Sequence, residues 1–128
     1  MEQYDPLVAP APEEWLELDE SERIWLVQDY HRRMRIDLPE AKVHAMLHAV
    51  VENQIAAGDA LPVQRTMQRL LSEGLDRHDA LHAIGAVLAE HLHTLFKQGA
   101  GAPPPDPNKP YFEALERLTA AGWRGGSR

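Results

Sequence analysis

The 128-residue chain contains no cysteine, which excludes disulfides, thiolate metal sites and a cysteine nucleophile. It is also short of bases, with thirteen Lys and Arg against twenty acids and a formal net charge of −7. The basic footprint that releases counterions from phosphate is missing, and nucleic-acid binding is set aside. No uninterrupted apolar stretch approaches the ~20 residues needed to cross a bilayer. The start, Met1-Glu2-Gln3-Tyr4-Asp5, has neither the basic nor the apolar region of a signal peptide. The expectation is a cytoplasmic protein without a membrane partner. What is present, 44% hydrophobic and 26% charged residues, is the composition of one soluble globular domain with a modest core.

The first 22 residues carry eight acids and no base, interrupted by Pro6, Pro10 and Pro12, so residues 1–12 are expected to form a flexible acidic arm. A short turn at 13–18 precedes the first main helix. Asp19 and Glu22 form a capping-box pattern, and Ile24, Trp25, Val27, Tyr30 and Met34 continue at helical spacing, predicting a helix over about 20–36. Asp37-Leu38-Pro39-Glu40 opens a second helix over about 38–57, stopped by Gly58. Val43, Met46, Leu47, Val50, Val51 and Ile55 occupy most of its circumference, as in a central helix covered by neighbours. Pro62 and Gly74 bracket a third helix, and Asp76 caps a fourth over about 77–98. Five prolines between Gly99 and Pro110 make that stretch a linker, after which Tyr111, Phe112, Leu115 and Leu118 permit a short C-terminal helix and a loose end from Gly122. The predicted fold is all-α: a bundle of four main helices over residues 13–98, a linker at 99–110, and a short helix with its tail over 111–128.

The chemistry lies in the seven histidines. His44-x3-His48-x3-Glu52 falls within the second helix, where each four-residue step rises roughly 6 Å and rotates about 40°, so the three side chains share one face. The fourth helix opens with a second pair at the same spacing, His78 and His82. Two facing helices thus offer four imidazoles and a carboxylate to one ion. That donor set suits zinc, iron(II) or nickel rather than calcium or magnesium. Single helical histidines are ordinarily surface or hydrogen-bonded core groups. Several of them buried beside Val50, Val51 and Ile84 without partners would cost roughly 1–3 kcal/mol each, a cost that a shared metal removes.

Glu52 lies late in its helix among aliphatic residues, where a carboxylate calls for a cation: a metal, or one of Arg65, Arg69 and Arg77. Asp79 stands at the start of the fourth helix behind Asp76, where capping is the ordinary role. Glu40 and Glu90 are reserve carboxylates, and His31, His91 and His93 are expected to face solvent. Asp29 and Tyr30, beside His31, would support the site only if the first helix covers it. Gly85, one turn beyond His82, is expected to mark a close approach by another helix.

In these segments the chain resembles an uncharacterised bacterial family of small helical proteins, one of the groups labelled domain of unknown function. The resemblance rests on VHAMLHAVVENQIA (43–56), on GLDRHDALHAIGAVLAE (74–90) and less strongly on WLELDESERIWLVQDYHR (15–32), covering about half of the chain. It implies that His44, His48, Glu52, His78 and His82 belong together, and it implies no catalytic activity.

Three functions compete. The first is a transition-metal-binding protein, either a mononuclear enzyme if a coordination position stays open or an accessory protein if the shell is closed. The second is a zinc hydrolase built on His78-Asp79-x-x-His82, with Asp79 as base and Glu52 or Glu90 as third ligand. The third is a metal-free interaction module that engages a protein partner through the acidic arm or the Pro103-Pro104-Pro105 segment.

Overall fold

The computed structural model describes residues 1–36, 38, 40–98 and 106–126. Among these the regular structure is all helical: α1 (Pro12–Glu17), α2 (Glu20–Arg33), α3 (Ala41–Ala56), a 3-10 turn (Gly58–Ala60), α4 (Val63–Ser72), α5 (Arg77–Gln98), α6 (Lys109–Arg117) and α7 (Ala120–Gly126).

The chain ends α1 and starts α2 through a shared set of side chains. Arg23 reaches back from α2 to the carbonyls of Trp15, Leu16 and Leu18, satisfying the acceptors that a terminating helix leaves open. Asp19 and Glu22 form the expected reciprocal capping box. The second expected helix starts three residues late, because Glu40 takes the left-handed conformation (φ 52°) and supplies no side-chain cap. Asp37 and Pro39, expected to open that helix, lie outside the described residues. Gly74 (φ 105°) ends α4 as expected, with Leu75 N–H donating to the Leu70 carbonyl at 3.2 Å. The Asp76 carboxylate accepts from Asp79 N–H at 2.8 Å and caps α5.

Helix α3 is central, packing against α1, α2, α4 and α5. One core joins Val51 to Val63, Met67 and Leu70 of α4, to Leu81, Ile84 and Leu88 of α5, and to Tyr111 and Leu115 of α6. A second core lies on the other side of α3, where Ala45 and Ala49 meet Leu26, Val27 and Tyr30 of α2, Trp15 of α1 and Tyr4. The small alanines let α2 approach α3 closely. Val43 and Met46, counted as core positions from periodicity, are about half exposed.

Both ends of the chain depart from expectation. Residues 1–12, expected as a flexible arm, bring Tyr4 and Pro6 into the interior, where Tyr4 is only 1% exposed. Backbone carbonyls hold them there: Arg33 donates to Tyr4 O at 3.1 Å and Arg77 to Pro6 O at 2.9 Å. The loose end expected from Gly122 is helical, as α7, and its Trp123 is half-buried against the larger core. Arg69 anchors this part of the chain through the Leu115 and Leu118 carbonyls, and Arg124 donates to the Gly74 carbonyl. The C-terminal helix begins at Lys109 with Pro110 in its first turn. Of the rest of the expected linker, residues 99–105 lie outside the described residues and residues 106–108 form a bend and turn that lead into α6.

Candidate metal centre

Three helices converge where the two cores meet. His31 enters from the last turn of α2, His44 and His48 from α3, and His78 and His82 from the first two turns of α5. His31, His48, His78 and His82 can each present one ring nitrogen such that all four lie within 4.8 Å of one another. A tetrahedral ion with metal–nitrogen bonds of ~2.0–2.1 Å needs these atoms about 3.3 Å apart. The group is therefore wider than a tetrahedral shell by up to about 1.5 Å. His44 stands beside this group, with ring centroids 5.0 Å from His31 and 4.9 Å from His82.

Hydrogen bonding determines which nitrogens are free. His31 Nδ1 lies 2.8 Å from the Val27 carbonyl, which can only accept, so Nδ1 carries the proton and Nε2 the lone pair. His48 Nε2 lies 2.7 Å from the Tyr4 hydroxyl, whose single proton goes to Glu52 Oε2. The phenolic oxygen is thus the acceptor, His48 donates from Nε2, and Nδ1 keeps its lone pair. His31 Nε2, His44 Nε2, His48 Nδ1, His78 Nε2 and His82 Nε2 are all buried without a hydrogen-bond partner among the described residues. Five buried ring nitrogens left without a partner, with the lone pair placed on His31 Nε2 and His48 Nδ1 by the hydrogen bonds of their other nitrogens, form an expensive arrangement that an ion would relieve.

Glu52 takes the salt-bridge alternative. Its side chain is 1% exposed, and Arg77 grips both oxygens, with NH1–Oε2 and NH2–Oε1 each at 2.7 Å. Arg77 is the partner among the three arginines considered; Arg65 is exposed and Arg69 holds α6. Glu52 therefore sits behind His48, joined to it through Tyr4, and the chain Arg77–Glu52–Tyr4–His48 orients the imidazole. Tyr4→Phe leaves a buried carboxylate oxygen and the His48 N–H each short of a partner. A loss of about 1–3 kcal/mol is expected in urea unfolding, and a loss under ~0.5 kcal/mol would count against the relay.

Burial disfavours the charged imidazoles. His44 and His82 are each pushed down to about 4, first by desolvation and then by neighbouring histidines, His82 for His44 and His78 for His82. His48 is held well below the usual range, first by burial and then by His78. His78 is lowered too, by burial first and then by His31. Neutral imidazole at physiological pH is the coordinating form. Burial first, and then the Glu52 carboxylate, raise the Tyr4 phenol, which stays protonated and able to donate.

Several expectations are corrected here. His31, expected to face solvent, is 6% exposed and belongs to the cluster. Its signal was available: it follows Val27 by four residues and so continues the inward stripe of α2. His91, also expected outside, is 9% exposed and stacks on Tyr111 with ring centroids 5.5 Å apart. His93 faces solvent as expected. Asp79, Glu40 and Glu90 are exposed and absent from the cluster. Tyr4 carried no usable signal, being a lone aromatic in an acidic, proline-broken segment.

Among the described residues no helix is long and apolar enough to cross a membrane. No protein-family model, curated protein or solved structure matches the chain.

Proposed function

We propose that this protein binds a transition metal through His31, His48, His78 and His82, with His44 as an adjoining fifth imidazole. The observation that carries this reading is the group of four histidines on three helices whose ring nitrogens come within 4.8 Å of one another, each with a buried nitrogen that is unpartnered among the described residues. All the donors are imidazole nitrogens, which suit zinc, iron(II) or nickel and do not suit calcium or magnesium. Glu52, Tyr4 and Arg77 act behind the ligands, setting the His48 tautomer. Of the two enzymatic readings, the zinc hydrolase gains no support, since the exposed Asp79 is not part of the cluster and only its backbone N–H takes part in the α5 cap. The reading favoured is a mononuclear metalloenzyme or a metal-dependent accessory protein, and four or five imidazoles would leave at least one position open on a six-coordinate ion.

The test is metal content. Untagged protein should purify with, or take up, close to one transition-metal ion per chain, measured by elemental analysis. His31→Ala, His48→Ala and His82→Ala should each lose it, while His44→Ala retains most of it. Occupancy unchanged in His31→Ala or His48→Ala would show that the helices do not share an ion.

A further inference from the structure

A cleft of about 330 Å³ backs onto the cluster between α3, α5 and α7. Among the described residues its polar wall is formed by the rings of His44 and His82; the rest is aliphatic or indole, including Leu47, Leu81, Ala89 and Trp123. Gly85 lines it, one turn beyond His82. Glycine is a poor helix former, and the expected close helix approach does not explain it, because a Cβ built there meets nothing within 4 Å. Gly85 faces room rather than contact. At about 330 Å³ the cleft lies at the small end of ligand sites and has their usual composition, apolar walls with a few convergent polar groups at one end.

Resting on the metal reading above, we infer that this cleft is the ligand site of the metal centre and takes a small molecule with an apolar body and one oxygen-bearing head that coordinates metal. The body lies along Leu47, Leu81, Gly85 and Trp123, and the head points to the His44/His82 end. The Nε2 atoms of His44 and His82 are closed off from solvent, so the head reaches the ion by displacing the His44 ring. His44 is the imidazole that a four-nitrogen shell can spare.

The probe is a carboxylate series, acetate to hexanoate, titrated into the cobalt(II)-loaded full-length chain and followed by the visible cobalt bands. Each methylene transferred from water into an apolar wall is worth roughly fourfold in affinity, so hexanoate should bind at least about tenfold more tightly than acetate. Gly85→Leu fills the cleft on a helix that leucine favours; it should keep one cobalt per chain and lose the hexanoate preference. Should Gly85→Leu disturb cobalt loading, Ala89→Leu, a turn farther from His82, makes the same comparison. Equal affinities for acetate and hexanoate in the parent, or an undiminished hexanoate preference in the filled variant, overturn the cleft assignment while leaving the metal site standing. Absence of cobalt binding in the parent overturns the metal site and this inference with it.

Discussion

Glu52→Gln should destabilise the protein by about 3–5 kcal/mol near neutral pH, because it leaves the Arg77 guanidinium buried without its countercharge. For a domain whose total stability is on the order of 5–15 kcal/mol, that is a large fraction. The pair is desolvated on both sides, 8% and 1% exposed, so removing one member costs far more than breaking a surface bridge. Urea denaturation of protein stripped of metal gives the number directly. Replacing the buried polar unit, Glu52→Leu with Arg77→Met and Tyr4→Phe, should recover the part of the loss due to the isolated charge, while the Pro6 carbonyl and the His48 N–H stay without their partners. Glu52→Gln should still bind metal, weakened on the order of 10–100-fold as expected for a group behind the ligand. If Glu52→Gln were as stable as the parent yet bound no metal, the carboxylate would be a ligand and the salt-bridge assignment would be wrong.

Removing the metal should lower thermal stability strongly at neutral pH, and the deficit should shrink once the solution is acid enough for protons to compete for the imidazoles. At free metal a hundredfold above its dissociation constant, binding contributes about 2.7 kcal/mol, on the order of 10 °C in melting temperature for a domain of this size. Differential scanning calorimetry with and without a chelator measures it. An unchanged midpoint at saturating metal would show that the native state has no ion site.

The metal-free protein has a pH dependence of its own. His44 and His82 are neutral in the folded state down to about 4, whereas in the unfolded chain histidine takes up a proton near pH ~6.5. Between these values the unfolded state binds more protons, so stability is full above about 6.5 and falls as pH drops towards 4. His48 and His78, lowered in the same direction, add to the slope. Protonating all seven histidines also brings the formal charge of −7 to zero, so aggregation must be monitored by light scattering in the same series. A stability that rises between pH 6.5 and 4 would contradict the burial of these rings.

Local pattern was enough for the helical class, for the four main helices with their caps at Asp19 and Asp76 and the stop at Gly74, and for the common face of each i,i+4 histidine pair. Those features follow from backbone geometry and from side chains acting within a turn or two of themselves. What only the tertiary structure decided was longer in range. It selected Arg77 over a metal for Glu52, brought His31 inward, drew Tyr4 and Pro6 out of an acidic segment into the interior, and left space rather than a neighbour at Gly85. Each depends on which surfaces meet between segments distant in sequence, up to 71 residues apart for Arg77 and Pro6. Periodicity says which face of a helix turns inward, but the partner waiting there is chosen by how the helices pack.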